Sequence, residues 1–418
     1  DAGLSVEVNT IFYKPYKDSK PYKDDAGIDY KPFYLPYYLL NLEEWLAFLM
    51  ASDRAQKPFW DKVLQMTYKF YSIFNSEQKD DKKSEAKYIN YFKWKILGII
   101  DLILSQIESD TAKITAARGI AGRCLNIIND LSKNEELIQF IQEINSCCGL
   151  SYGNNKSQLQ EYTAQERTNI DEDMAWQVEE SKLTHGDYYD YKFLHTAVEM
   201  VLLEEEARGN ARVREFTSTM LTRLDYFLNN NECLFMRESE HKYDNTRSYL
   251  KEVFHVGADV PNNQLITIDS SEVGTDVLEL MTSVVSRMIF DYRKEKIGSD
   301  RRQNPVHLFL DEAHRYIRKD AQYILRENIF EKIAREGRKY SLFLVVSSQR
   351  PSELSDTVLS QCSNFIVHRI QNEVDLKYVY AILPYFSEDF ITKIKQAVPG
   401  EALIFGNCVP MPLQVQVI

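Results

Sequence analysis

The sequence predicts an α/β protein, with a parallel sheet in its C-terminal half and a large helical domain inserted ahead of it. Two observations carry this. From Leu40 to about Glu252 apolar residues recur at spacings of three and four, the period of helices that bury one face. After Pro261 the pattern changes to apolar runs of three to six residues, rich in β-branched types and separated by helical stretches. That is how strands covered on both faces of a parallel sheet read.

Taken in order, residues 1–40 are rich in Tyr, Lys, Asp and Pro, with the near-repeat YKPYKDSKPYKDD at 13–25, and show no periodicity. They are expected to form an extended arm. Residues 41–250 read as a helical insertion domain: Leu42, Trp45, Leu46 and Leu49, then Ile96 to Ile107, then Leu137 to Ile144 carry its apolar faces, with polar linkers near 76–86 and 151–172. Residues 251–418 read as the sheet-bearing core, with strands at Leu265–Ile268, Val306–Leu310, Leu342–Val346, Phe365–Val367 and Ala402–Phe405. An amphipathic stretch from Asp276 to Lys296 separates the first two, a length suited to a right-handed crossover helix.

With 418 residues, 44% of them hydrophobic and 12% aromatic, the chain can pack two or three domains. It has no run of 18 apolar residues and no basic then apolar N-terminal region, so neither a membrane span nor secretion is expected. Its six cysteines are scattered, and the pair Cys147–Cys148 has no second pair at metal-ligand spacing, which suits free thiols in a reducing cytoplasm. The seven histidines are equally dispersed, so a zinc site is not expected. Net charge is −12, but residues 251–418 hold 20 basic against 22 acidic side chains, which leaves −10 for residues 1–250. An acidic surface repels nucleic acid, whereas a nearly neutral half can carry a local basic lining; if DNA is bound, the second half binds it.

The chemistry concentrates where the strand His307–Leu310 ends in Asp311 and Glu312. Strand carboxyl ends are where α/β sheets present ligands. Asp311 there would hold a magnesium ion and Glu312 would orient an attacking water, since phosphoryl transfer depends on positioning and electrostatics. The plainer alternative is that both carboxylates cap the helix that follows. Downstream, Leu342–Ser347 forms a second strand that runs into Ser348-Gln349-Arg350, placing an amide where it could sense a γ-phosphate. Arg335 and Arg338, three apart on one face of a helix near its end, could act across a subunit boundary or simply favour the helix C-terminus.

The segments LDEAHRYI at 310–317, IAREGRKYSLFLVVSSQRPSELSDTVLSQCSNFIVHRI at 333–370 and PGEALIFG at 399–406 together resemble the HerA family of hexameric DNA-translocating ATPases. Asn372–Asp375 fits the same pattern, and LPYYLLNLEEW at 35–45 is similar to the stretch after that family's phosphate-binding unit. The resemblance covers about 212–418, with 35–45 as an outlying anchor. It implies a RecA-like core, a homohexameric ring that binds ATP and magnesium between subunits, and pumping of double-stranded DNA through a central channel. It gives Asp311 and Glu312 the Walker B roles, Gln349 the sensor role, and Arg335 or Arg338 that of arginine finger. It also implies work beside a nuclease or another effector, NAD-cleaving subunits included, in antiphage defence or DNA end processing. The competing expectation is an ATP-binding ring scaffold that assembles an effector without moving DNA. A conjugation or packaging ATPase of the wider HerA and FtsK superfamily is a third, which REGRKY and SQRPSELS disfavour.

A phosphate-binding loop written G-x-x-x-x-G-K-[ST] is missing: none of the fifteen glycines is followed by Lys and then Ser or Thr. In GLSYGNNKS at 149–157 two asparagines separate glycine from Lys156, and Gly119 and Gly122 meet only Arg123. The chain is then either a fragment or a degenerate family member; the intact acidic, amide and arginine set points to a fragment, which alone is expected not to turn over ATP. Candidate DNA contacts are Arg293, Lys294, Lys296, Arg301 and Arg302, a basic stretch that reads equally as a solvated turn. Tyr188, Tyr189, Asp190 and Tyr191 are a candidate partner-docking cluster on the acidic helical domain.

Overall fold

Two strands open the chain, β1 (Asn9–Pro15) and β2 (Lys31–Phe33). The computed structural model describes residues 8–18, 27–52, 55–74, 81–149, 155–256, 264–319, 325, 327–383 and 388–416. The chain divides into two compact units, Tyr34–Asn245 on the one hand and Asp1–Phe33 with Thr246–Ile418 on the other.

The first unit is helical: α1 (Leu42–Phe48), α2 (Gln56–Phe74), α3 (Asp81–Gln106), α4 (Asp110–Leu131), α5 (Glu135–Cys147), α6 (Asn155–Thr168), α7 (Glu172–Glu179), α8 (Leu194–Ala207), α9 (Val213–Asn229) and the single turn α10 (Leu234–Arg237). Its starts are set by polar caps. Asn41 and Glu44 form a reciprocal capping box at α1, and Ser109, Asn134 and Asp171 accept from the first-turn amides of α4, α5 and α7. Helix α8 buries Leu194, Ala197, Val198, Val201, Leu202 and Leu203, apolar around most of its girth, as a central helix must be. Trp45 packs against Trp60, Phe48 and Phe227, and truncating Trp45, 1% exposed, to alanine would cost roughly 3–5 kcal/mol.

This unit also buries charge. The Lys95 Nζ lies 2.6 Å from Glu204 Oε1 and 3.2 Å from Glu179 Oε1, and the Lys69 Nζ lies 3.1 Å from Glu179 Oε2. Tyr91, fully buried, donates its hydroxyl to the same Glu179 oxygen at 2.8 Å. Among the described residues of the expected polar linker at 151–172, most belong to α6, whose Leu159 and Thr163 are buried four residues apart. Residues 150–154 lie outside the described residues. Of the tyrosine cluster read as a docking candidate, Tyr189 is core packing, while Tyr188, Asp190 and Tyr191 are half-buried. Tyr189 is 2% exposed, its carbonyl accepts the Tyr37 hydroxyl, the Tyr191 amide donates to Tyr37 Oη at 3.0 Å, and Tyr188 meets Tyr38 edge to face.

The second unit continues with α11 (Thr246–Val253), β3 (Gln264–Ile268), α12 (Thr275–Glu295), α13 (Gly298–Gln303), β4 (Val306–Leu310), α14 (Ile329–Glu336), β5 (Leu342–Val346), α15 (Asp356–Gln361), β6 (Asn364–Val367), α16 (Glu373–Ile382), α17 (Glu388–Gln396), β7 (Glu401–Gly406) and β8 (Leu413–Gln416). It is of the α/β class with parallel strands, as the sequence predicts. Among the described residues there are three ladders: β2-β1-β3 and β4-β5 are parallel, while β6-β7-β8 is antiparallel.

Three details differ from the sequence reading. The opening arm is extended, but β1 pairs along its length with β3, from Asn9↔Gln264 to Tyr13↔Ile268. Residues 19–25 of the near-repeat lie outside the described residues. Strands β6 and β7, expected in the parallel sheet, pair antiparallel, because an apolar run reports burial and not strand direction. They close on Leu376, Val379, Leu383 and Ile394 of the α16–α17 region. Finally, the β4–β5 ladder is not covered on both faces: Phe309 is 67% exposed and its partner Val345 38%. No helix among the described residues is long and apolar enough to cross a membrane, and all six cysteines are free thiols.

Candidate functional site

The site is made by register. Strands β4 and β5 run parallel from Val306↔Leu342 to Leu310↔Val346, so both deliver their carboxyl ends to one edge. The ladder runs on past the strands: Ser347 N donates to Leu310 O at 2.8 Å, and Ala313 N to Ser347 O at 2.9 Å. Asp311 and Glu312 therefore lie alongside Ser347, Ser348 and Gln349. At Glu312 the backbone turns left-handed, with φ 47° and ψ 43°. That region costs a non-glycine residue about 1–2 kcal/mol, and strain of this kind gathers at functional sites. The turn is tied down by Tyr316 Oη, which donates to Asp311 O at 2.5 Å, and by Arg315 N, which donates to Glu312 O at 2.9 Å. Burial, with the Asp311 carboxylate nearby, pushes the Tyr316 phenol well above its ordinary range, so it remains a donor.

The side chains converge on Glu312. Gln349 Nε2 donates to Glu312 Oε1 at 2.5 Å. The other oxygen, Oε2, is buried without a hydrogen bond, and His314 Nδ1 lies 3.3 Å from it. The same Nδ1 lies 3.2 Å from Ser348 Oγ, which accepts the Arg350 amide at 3.1 Å. Below this loop the buried Asp375 accepts the Ser352 amide at 3.0 Å, and Arg350 pairs with Glu353 at 2.8 Å. The arrangement is a carboxylate held at one oxygen by Gln349, its other oxygen buried beside His314, next to a second, exposed carboxylate at Asp311. Among the described residues no three His, Cys, Asp or Glu side chains cluster to cage a metal alone. One or two carboxylates with substrate phosphates and waters is the ligand set magnesium takes, so the residues fit that ion with a nucleotide and not by themselves.

The other expected site residues fall elsewhere. Arg335, exposed, ends α14 with Nη2 3.9 Å from Glu327 Oε1, and Arg338, exposed, lies in the tighter turn Gly337–Tyr340. The α-helix stops at Glu336, so the two arginines sit across a junction rather than on one helical face. A side chain at Gly337 would bring its Cβ 2.5 Å from Leu342 O, so only glycine lets that turn feed β5. In the basic stretch, Arg293 is 2% exposed; its Nε donates to Tyr340 O at 3.0 Å and its Nη2 to Arg301 O. Arg301 donates to Lys339 O at 3.2 Å and stacks 5.1 Å from the Tyr340 ring. These two arginines knit α12 and α13 to the turn before β5. Lys294 and Arg302 are exposed, and Lys296 sits 4.8 Å over the Tyr292 ring.

Sequence reasoning missed His314, Ser348, Tyr316 and Asp375. Each is in a segment it had quoted, but their meeting depends on the left-handed turn and the strand register, which no spacing reports.

No family model matches the chain. It is 30% identical over 161 residues to a probable helicase of Methanocaldococcus jannaschii, covering 38% of this chain and 31% of that one. It is 35% identical over 155 residues to the DNA double-strand break repair helicase HerA of Sulfurisphaera tokodaii, covering 36% and 30%. The chain thus spans about a third of the length of the curated relatives it matches. Among solved structures it is similar to the genome packaging NTPase of Sulfolobus turreted icosahedral virus 2 in complex with ATP-gammaS, at TM-score 0.28 and 17% identity, covering 37% of this chain and 68% of that one. The resemblance to HerA read from the strand-end motifs is therefore one that sequence relatives carrying that name share.

Proposed function

We propose that the α/β unit is the Walker B half of an ATPase site in a HerA-like, ATP-driven translocase or helicase of double-stranded DNA. The observation that carries it is the Gln349–Glu312 contact at the joined carboxyl ends of β4 and β5, with Asp311 exposed beside it. When bound, ATP supplies the phosphoryl group and magnesium neutralises charge on its oxygens. Asp311 would hold the magnesium. Glu312 orients and polarises the attacking water, and Gln349 couples that carboxylate to the end of β5.

Arg335 or Arg338 serves as arginine finger across the boundary of a homohexameric ring; both side chains are exposed. Lys294, Lys296 and Arg302 take DNA phosphates, with Arg293 and Arg301 as their frame. A cytoplasmic setting and a nuclease or NAD-cleaving effector, in antiphage defence or DNA end processing, complete the reading. The test is DNA-stimulated ATP hydrolysis by the full-length protein: Glu312→Gln and one of Arg335→Ala or Arg338→Ala should abolish it, and wild-type turnover in all three would sink the assignments. A translocation assay separates this from an ATP-binding ring scaffold, which would bind ATP but move nothing.

A further inference from the structure

We infer that His314 is a positioning residue for Glu312 and that its Nδ1, not its Nε2, does the holding; this rests on the proposed water-orienting role of Glu312. A carboxylate held at one oxygen can still swing about its last torsion, and a swinging base orients water poorly. Gln349 fixes Oε1 at 2.5 Å. Oε2 is buried with no aligned hydrogen bond, and His314 Nδ1 stands 3.3 Å away, close enough that a small ring rotation completes a second hold.

The same nitrogen is 3.2 Å from Ser348 Oγ. An imidazole nitrogen carries either one proton or one lone pair, so Nδ1 either donates to Glu312 or accepts from the Ser348 hydroxyl. The Ser348 oxygen already accepts the Arg350 amide at 3.1 Å, which keeps its own proton free for that second state. Ser348 and Gln349 are consecutive residues at the end of β5. Gln349 therefore holds Glu312 directly from the end of β5, while its neighbour Ser348 competes with Glu312 for His314 Nδ1.

The experiment uses the full-length protein. His314→Ala should lower DNA-stimulated kcat about 10- to 100-fold with the KM for ATP within about twofold of wild type, the pattern of a lost orienting contact. His314→Asn, whose amide nitrogen falls where Nδ1 does, should recover most of the rate; His314→Gln, whose amide reaches the Nε2 position, should not. In nucleotide-free protein, ring ¹⁵N NMR should show the His314 Nδ1 resonance moving on Glu312→Gln while Nε2 stays. Wild-type turnover in His314→Ala alongside an inactive Glu312→Gln would overturn the role of His314 alone, and so would an Nδ1 resonance indifferent to Glu312. Wild-type turnover in Glu312→Gln would overturn the ATPase reading and this inference together. Were His314→Ala to fold poorly, the Asn against Gln contrast and the NMR shift decide.

Discussion

Two clusters of charge in this molecule are built on opposite plans. In the helical unit, Lys69, Lys95, Glu179, Glu204 and the Tyr91 hydroxyl close on one another, two cations against two anions, and both Glu179 oxygens have a partner. At the strand ends of the α/β unit, two adjacent acids have no Lys or Arg ion pair among the described residues, one carboxylate oxygen lacks a hydrogen bond, and the backbone beneath it is left-handed. Buried charge that is balanced and saturated is frame; unbalanced charge at a strained strand end is the pattern that functional sites favour.

The contrast breaks or sharpens with four substitutions or conditions. Glu312→Gln should lower turnover by about 10²- to 10⁴-fold while urea unfolding stays within about 0.5 kcal/mol of wild type; a large stability loss instead would make Glu312 a frame residue. Lys95→Ala should behave in reverse. Its side chain is 11% exposed and bridges two carboxylates, so removing it should cost about 3–5 kcal/mol in urea unfolding of the helical unit. A loss under about 1 kcal/mol would show that the cluster is not a frame.

A third check is acid. Burial opposes ionisation of Glu179, but Lys95, Lys69 and the Tyr91 hydroxyl outweigh it and hold the carboxyl below its ordinary 4.5. A depressed folded pKa contributes stability that is present above the unfolded value and is lost as pH falls through the folded one. The urea midpoint should therefore drop below about pH 4.5, and Glu179→Gln should flatten that part of the profile. The smallest effect belongs to Lys69. Burial pushes its ammonium down despite Glu179, so its charge is disfavoured on balance, and Lys69→Met should shift stability by less than about 1 kcal/mol in either direction by thermal unfolding.

What the sequence disclosed followed from how local the cause was. Strands β4 and β5 were legible because an apolar run and its acidic or polar end are contiguous in sequence. The crossover helix was legible from its own periodicity, and α12 spans Thr275–Glu295 where Asp276–Lys296 was expected. Strand β1 was hidden because its partner β3 lies some 250 residues on, and its apolar run is only Ile11-Phe12-Tyr13 before Lys14 and Pro15. Helix α6 was hidden because so few of its positions are apolar. Arg293 and Arg301 read as surface cations because composition cannot show that their guanidinium groups end on backbone carbonyls. His314 escaped because its partner Ser348 is 34 residues away and meets it only through the ladder.

The left-handed backbone at Glu312 also bears on how this chain would evolve under selection. Glycine or asparagine would occupy that conformation with less strain, recovering part of about 1–2 kcal/mol. A library at position 312 screened for heat tolerance alone should therefore drift toward those residues and lose catalysis, whereas a screen for function should return glutamate at the expense of melting temperature.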